Sequence, residues 1–207
     1  MTTARELLAV SPVIPVVVID EVDHAVPLAK ALARGGIGVI EVTLRTAAGL
    51  PAIERIAAEV PEILVGAGTV ITPDQVDAAL KAGSRFLVTP GTTDSLLTAL
   101  EGAGVPFLPG AATISEALKL AERGHDTLKF FPAEQSGGTT FLKALSGPLP
   151  QLRFCPTGGI TVTSARGYLA LPNVSCVGGS WLTPKAALAA GDWAAVEKLA
   201  AEAAALG

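Results

Sequence analysis

Thr127-Leu128-Lys129-Phe130-Phe131-Pro132 places one lysine inside an apolar, aromatic run that is typical of a buried strand. A buried lysine must be paired or must lose its charge. Because desolvation disfavours the ammonium form, an amine held there can attack a carbonyl near neutral pH, as Schiff-base catalysis requires. Lys129 is therefore the first candidate for a chemical centre, and a purely structural lysine is the alternative.

Short β-rich runs like this one recur along the chain. Eight are predicted as strands: residues 13–19, 36–43, 63–67, 85–89, 106–108, 127–131, 152–157 and 174–177. Ala- and Leu-rich segments with helical spacing lie between them, at residues 25–33, 50–58, 73–82, 95–100, 115–123 and 163–169. Thr72-Pro73, and Thr113 with Glu116, are helix-start signals. Residues 1–8 are typical of a first amphipathic helix.

Eight alternating units predict a single-domain α/β fold, a (β/α)₈ TIM barrel over residues 1–207 with an N-terminal helix. A doubly wound open sheet is the alternative. Glycine, proline, hydroxyl and charged residues cluster at the carboxyl ends of seven of the eight strands, which is the active face of a barrel. An open sheet needs such ends only near its switch point, so this distribution favours the barrel.

Composition limits the classes of partner. Half of the residues are hydrophobic, yet no apolar segment has the length of a membrane span. The N-terminus lacks the features of a secretory signal, so we expect a cytoplasmic protein. A net charge of −4 with scattered basic residues predicts neither nucleic-acid nor membrane binding. Small molecules are the expected partners.

The cysteines and histidines predict neither a metal nor a cofactor. Cys155 and Cys176 stand in apolar strand contexts, in similar phase, and are predicted to be buried free thiols on neighbouring strands. His24 and His125 show no spacing of metal ligands.

Strand alternation predicts that Glu41 is the partner of Lys129. It turns Lys129 and Glu41 to the inner face of the predicted sixth and second strands, which are diametrically opposite in an eight-stranded ring. A nucleophilic amine with a carboxylate that shuttles protons is the set that imine formation and C–C cleavage require. A structural buried ion pair is the alternative.

Further polar and glycine residues at the strand ends predict an anion site. Arg45 is placed to hold a substrate carboxylate, with Thr69 adding a hydroxyl, although a rim salt bridge is the alternative for Arg45. Two glycine pairs, Gly158-Gly159 and Gly178-Gly179 before Ser180, end strands seven and eight, where barrels commonly bind phosphate through backbone N–H groups. Tight turns are the alternative for both pairs.

Five blocks in register carry a family resemblance: Glu41-Val-Thr-Leu-Arg45-Thr46, Val65-Gly-Ala-Gly-Thr69-Val, Leu128-Lys129-Phe-Phe-Pro-Ala-Glu134, Arg153-Phe-Cys-Pro-Thr-Gly-Gly-Ile160 and Gly178-Gly-Ser-Trp181. With them the chain resembles the 2-keto-3-deoxy-6-phosphogluconate (KDPG) and 4-hydroxy-2-oxoglutarate (KHG) aldolases, which are class I, Schiff-base lyases. The resemblance spans most of the chain.

The resemblance implies roles for individual residues. Lys129 would form the Schiff base and Glu41 would act as general acid and base. Substrate-binding roles are implied for Arg45, Thr69, Thr89, Pro90, Phe131, Thr157, Gly158, Gly159, Gly179 and Ser180. Thr89 departs from the family's usual serine, and its extra methyl is expected to crowd the pyruvate pocket. A homotrimer is also implied.

The expected function is therefore reversible cleavage of KDPG to pyruvate and glyceraldehyde 3-phosphate, as in the Entner-Doudoroff pathway, without metal or cofactor. The partners would be a 2-keto acid and a phosphorylated aldehyde. Two alternatives stay open: KHG aldolase as the main activity, and a non-catalytic phosphosugar-binding barrel in which Lys129 and Glu41 form only an ion pair. A metal-dependent aldolase has the least support, since no histidine cluster is present.

Overall fold

The computed structural model describes residues 3–207, and Met1 and Thr2 lie outside the described residues. The strands are β1 (Val13–Val17), β2 (Val39–Thr43), β3 (Leu64–Gly68), β4 (Leu87–Val88), β5 (Phe107–Leu108), β6 (Gly110–Ala111), β7 (Thr127–Phe130), β8 (Arg153–Pro156) and β9 (Val177–Gly179). The helices are α1 (Ala4–Leu8), α2 (Ala25–Arg34), α3 (Gly49–Glu59), α4 (Pro73–Lys81), α5 (Asp94–Gly102), α6 (Ile114–Glu122), α7 (Gly138–Leu145), α8 (Val162–Leu169), α9 (Lys185–Ala190) and α10 (Trp193–Ala204). A 3₁₀ turn, Val22–His24, precedes α2.

All strand pairs are parallel, and their order follows the chain. One curled sheet has the order β5-β4-β3-β2-β1-β9, and a second has the order β6-β7-β8. Pro109 alone separates β5 from β6, so the chain passes directly from one sheet to the other. Two isolated parallel bridges, Phe154 to Val174 and Thr157 to Gly178, join the β8 segment to the β9 segment. The predicted α/β class is confirmed.

Predicted helix starts match the observed caps. The Thr72 hydroxyl accepts the Gln75 N–H at 3.3 Å, with Pro73 in the first turn of α4. Thr113 and Glu116 form a capping box at α6, and Thr3 and Glu6 form another at α1. These contacts satisfy N–H groups that have no partner inside the helix, which explains why the helices begin there. The predicted N-terminal helix is confirmed from Ala4 onward.

Several boundaries differ from the predictions. The predicted strand at 174–177 is instead Val177–Gly179, because Ile14 and Pro15 of β1 pair with the two glycines. Strand β6 and helices α7, α9 and α10 have no counterpart among the predicted segments. Helix α7 starts on Gly-Thr-Thr, which are weak helix formers, and α10 packs against α2. That packing is close, since a Cβ at Gly35 would overlap Ala200.

The core lies on both faces of the strands. Every residue of β1 and β2 is buried, as parallel strands covered by helices require. On the outer face of the strands, the Phe130 ring of β7 stacks on Phe141 of α7, with 5.2 Å between the ring centroids. The Phe130 ring also makes a T-shaped contact with Phe154. Among residues 3–207, no helix combines the length and apolar character that crossing a membrane requires.

Candidate active site

Lys129 and Glu41 meet inside the protein. Lys129 is the third residue of β7 and Glu41 the third of β2, and Lys129 Nζ donates to Glu41 Oε1 at 3.1 Å. Their side chains are only 5% and 3% exposed. The predicted contact between the Lys129 and Glu41 side chains is confirmed. A buried amine whose proton can pass to a neighbouring carboxylate is equipped for attack on a carbonyl.

Gly68 of β3 makes room for the Glu41 side chain, and Gly66 makes room for the Phe86 ring. Gly66 and Gly68 lie on the same face as Glu41, because Glu41 is in register with Gly66. A Cβ at Gly68 would overlap the Glu41 carboxylate, and one at Gly66 would be 2.5 Å from the Phe86 ring. In the sequence this glycine motif stands out only as a strand end and as part of the block Val65-Gly-Ala-Gly-Thr69-Val. The spacing of two residues puts both glycines on one face of β3, and this spacing was the available sequence signal for open space beside Glu41.

Phe131 closes one side of the lysine. Its ring centroid is 5.5 Å from Lys129 Nζ, a distance at which a cationic amine is attracted to the aromatic face. The ring also lies against the β8 loop, since a Cβ at Gly158 would be 3.3 Å from Phe131. Phe131 therefore contacts both the amine and the glycine turn that was predicted to bind phosphate.

Arg45 and Thr69 are brought together at the carboxyl ends of β2 and β3. Arg45 Nε donates to Thr69 Oγ1 at 3.2 Å. Thr69 has a φ of 57°, a left-handed backbone that a β-branched residue rarely adopts. Such a conformation costs about 1–3 kcal/mol and is found mostly at functional sites. The arginine is exposed, so its guanidinium remains accessible to an anion.

Thr89 and Pro90 support the strand beside the lysine. Thr89 is fully buried, and its hydroxyl accepts the Gly110 N–H at 2.9 Å. It also lies 3.2 Å from the Thr92 hydroxyl. Gly110 is the register partner of Lys129 and has no room for a side chain, because a Cβ would be 2.5 Å from the Pro90 carbonyl oxygen. The Thr89 hydroxyl is thus engaged with the backbone of β6.

The glycine turn after β8 lies next to the glycines of β9. Thr157 bridges to Gly178, and a Cβ at Gly178 would overlap the Thr157 hydroxyl. Gly158 and Gly159 have φ values of 105° and 77°, which L side chains rarely adopt. Successive N–H groups in such turns form anion-binding concavities. Gly179 lies against Trp181, and Ser180 is exposed just beyond it.

A cavity of about 640 Å³ opens between the β1 loop and the segment after β9. Arg45 and Ser180 both line it, together with Asp20, His24 and Lys185. Lys129 and Glu41 are not among its lining residues. A second cavity, of about 370 Å³, lies beside α1 between Arg5 and Phe107 and contains none of the predicted site residues.

Cys155 and Cys176 are buried free thiols on neighbouring segments, as predicted. A hydrogen bond with Cys155 and complete burial raise the pKa of the Cys176 thiol well above its ordinary value. Cys155 is in register with Lys129. Within residues 3–207, no three His, Cys, Asp or Glu side chains converge as metal ligands would.

One hydrogen bond near this site was not predicted from the sequence. Tyr168 of α8 donates its hydroxyl to Glu134 Oε1 at 2.8 Å. Burial, and then the carboxylate, raise the pKa of Tyr168, so the hydroxyl keeps its proton. The two residues are far apart in sequence, and no local pattern pairs them.

Comparison with known proteins identifies the family. The family model described as "KDPG and KHG aldolase" matches residues 4–199. The chain is 50% identical to a KHG/KDPG aldolase of Escherichia coli K12 over 98% of this chain and 95% of that protein. It matches a crystal structure of KDPG aldolase from Legionella pneumophila, with pyruvate captured as a covalent carbinolamine intermediate, at 46% identity. That match has a TM-score of 0.95 and covers 97% of this chain and 98% of the other.

A second solved structure agrees. The KDPG aldolase of Zymomonas mobilis ZM4 with 3-phosphoglycerate is 43% identical, with a TM-score of 0.93, over 99% of this chain and 96% of the other. With these matches over nearly its whole length, the chain belongs to the KDPG and KHG aldolase family.

Proposed function

We propose that this chain is a class I aldolase that reversibly cleaves KDPG to pyruvate and glyceraldehyde 3-phosphate through a Schiff base on Lys129. The observation that carries the proposal is the buried contact of 3.1 Å between Lys129 Nζ and Glu41 Oε1. The names of the E. coli and L. pneumophila proteins, and the carbinolamine in the latter, support it.

The first half of the reaction forms the imine. The Lys129 amine attacks C2 of the substrate, and the ketone oxygen takes up a proton to give a carbinolamine. Glu41 accepts the proton that the nitrogen loses and returns one to the departing hydroxyl, so that water leaves and a protonated imine remains. The protonated imine is an electron sink for the bond that breaks next.

The second half cleaves the C3–C4 bond. Glu41, now a carboxylate, takes the proton of the C4 hydroxyl, the aldehyde forms, and the electron pair of the C3–C4 bond moves into an enamine on Lys129. Glu41, at hydrogen-bond distance from the amine, protonates C3. Hydrolysis of the resulting imine releases pyruvate and restores the amine. Phe131 packs beside the imine, at the position its ring holds next to Nζ.

The pyruvyl carboxylate binds to Arg45 and Thr69. Their hydrogen bond of 3.2 Å pre-orients a guanidinium and a hydroxyl at one strand end. Thr89 and Pro90 support the pocket through Gly110, the register partner of Lys129. Thr89 keeps the hydroxyl of the family's usual serine bonded to the Gly110 N–H, and its extra methyl is expected to crowd the pyruvate pocket.

The phosphate binds to the glycine turn after β8 and to Gly179 at the end of β9, with Thr157 bridging the two segments and Ser180 adding a hydroxyl. Arg45 and Ser180 line the same cavity, which supports a ligand that carries both a carboxylate and a phosphate; Lys129 and Glu41 lie outside its lining. The Z. mobilis protein with 3-phosphoglycerate carries a ligand of this kind.

We extend the proposal to the architecture of the chain. We propose that residues 1–207 form one domain and that the strands close into a (β/α)₈ barrel. The direct passage from β5 to β6 and the bridge from Thr157 to Gly178 support closure of the barrel.

A cytoplasmic homotrimer follows from the family resemblance. Exposed apolar side chains at Ile71, Ile114 and Val162 are available for contacts between subunits. Sedimentation equilibrium tests the trimer.

The test of the function compares KDPG with KHG as substrates of the purified protein. We expect kcat/KM at least about tenfold higher for KDPG, because only KDPG offers a phosphate to the glycine turns. Lys129→Ala should lose both activities. A higher kcat/KM for KHG would make KHG cleavage the main function, and pyruvate binding without turnover of either substrate would favour the non-catalytic barrel.

A further inference from the structure

The β7–α7 loop rests directly on the glycine turn after β8. The Ala133 N–H donates to the Thr157 carbonyl at 2.8 Å, and the Glu134 N–H donates to the Gly158 carbonyl at 3.1 Å. A Cβ at Gly159 would be 2.7 Å from Glu134 Cγ. The conformation of the turn therefore depends on where Glu134 is held.

Tyr168 fixes the side chain of Glu134. The tyrosine is 1% exposed, on the helix that follows the glycine turn, and its hydroxyl donates to Glu134 Oε1 at 2.8 Å. It lies under the start of α7, because a Cβ at Gly138 would be 3.1 Å from the hydroxyl oxygen. A rigid aromatic ring buried in α8 is thus the anchor for an otherwise exposed glutamate.

This link joins both halves of the site. The loop that carries Glu134 begins at Phe131, two residues after Lys129, and Phe131 also lies against Gly158. The strand end that holds the amine and the glycine turn are therefore connected through one short segment, and the Tyr168 hydroxyl ties that segment to α8.

We propose that Glu134 and Tyr168 are a positioning pair that holds the Gly158-Gly159 turn in the conformation that binds the substrate phosphate. The inference rests on the proposed function. Neither residue touches the reacting atoms, so both act through the turn. The pair sets the affinity for phosphorylated substrate and leaves the chemistry at Lys129 unchanged.

The experiment measures kcat and KM with KDPG and with the unphosphorylated KHG. Tyr168→Phe removes only the hydroxyl, and Glu134→Ala removes its acceptor. Each should raise KM for KDPG about fivefold, as loss of one hydrogen bond predicts, and leave kcat and the KM for KHG within twofold. Glu134→Gln keeps an acceptor oxygen and should stay near the wild type. Glu54→Ala, at an exposed position of α3, is the matched control for lost charge.

An unchanged KM for KDPG in folded Tyr168→Phe would overturn the proposal. An equal rise for both substrates would do the same, because it would indicate a general structural defect. Circular dichroism establishes folding, and Glu134→Ala decides the matter if Tyr168→Phe does not fold. A wild type without preference for KDPG would instead refute the phosphate site of the proposed function, which separates the two failures.

Discussion

The Glu41 carboxylate fills the space that a side chain on Gly68 would need, so the two residues share one slot across the ladder of β2 and β3. The slot lets a long acidic side chain stay inside the protein and reach Lys129 Nζ at 3.1 Å. Since the carboxylate is 3% exposed, it has little freedom to move aside. The geometry of this buried pair therefore depends on a residue without a side chain.

Gly68→Ala tests this dependence. The added methyl should displace the carboxylate and lower kcat by about 100-fold, the size of effect that a misplacement of about 1 Å produces. Gly167→Ala is the control: it has nothing within 4 Å of the added Cβ, lies in α8, and should keep full activity with unchanged or slightly higher stability. Steady-state kinetics on both variants decide the point. A folded Gly68→Ala protein with wild-type kcat would contradict the slot.

Glu41→Gln keeps the shape of the side chain and removes its capacity to move a proton. We expect the exchange of pyruvate methyl hydrogens for deuterium in D₂O to slow by about 10²–10⁴-fold, because general acid–base catalysis contributes that much. Proton NMR of pyruvate with the enzyme measures the rate. Glu54→Gln, on the exposed side of α3, should exchange at the wild-type rate. Fast exchange in Glu41→Gln would assign the proton transfer to another group.

Asp126→Asn probes the pH dependence of stability. The hydrogen bond from Arg5 holds the pKa of Asp126 below its ordinary value, against the opposing effect of burial. Because the folded-state pKa is lower than the unfolded one, the carboxylate stabilises the fold above a pH of about 4, and this contribution is lost as pH falls through the folded pKa. Both side chains are about half exposed, at 51% and 47%, so the effect should be at most about 1 kcal/mol.

Thermal melts measure that difference. Asp126→Asn should lower Tm at pH 7 by at most about 2–4 °C, with the gap to the wild type closing toward pH 2. Arg5→Gln should behave similarly, since it removes the partner in the same ion pair. A gap that widens as pH falls would contradict the sign of the pKa shift.

Phe130→Ala tests the packing behind the lysine. Phe130 is 1% exposed and stacks on Phe141 with an angle of 6° between the ring planes. Its removal should cost about 3–5 kcal/mol in the free energy of unfolding, measured by urea denaturation. Leu118→Ala on α6, where the leucine is 41% exposed, should cost less than about 0.5 kcal/mol. A loss below about 1 kcal/mol for Phe130→Ala would mean that the site collapses to fill the space.

The contact between Lys129 and Glu41 was predictable because it follows from strand periodicity and strand order. Alternation along two short strands turns Lys129 and Glu41 inward, and their positions in the strand order bring them together. Helix starts at Thr72 and Thr113 were predictable for a similar reason, because a capping side chain and its N–H partner lie within four residues of each other.

Other contacts between distant segments were not predictable, because no strand or helix periodicity relates the residues that make them. The hydrogen bond between Tyr168 and Glu134, the overlap of Gly68 with Glu41 and the left-handed backbone of Thr69 each depend on packing between elements. Glycines 178 and 179 were expected to end a strand, because glycine is rare within strands. Instead they belong to β9 and pair with β1, and neighbouring side chains occupy the space that they leave.

Reductive trapping tests whether the Schiff base forms on Lys129. The protein is mixed with pyruvate and sodium borohydride, which converts an imine to a stable secondary amine, and is analysed by intact mass and peptide mapping. We predict one pyruvate-derived adduct per chain, located on Lys129, and none in Lys129→Ala. Folded wild-type protein that gains no adduct, or gains it on another lysine, would contradict the assignment.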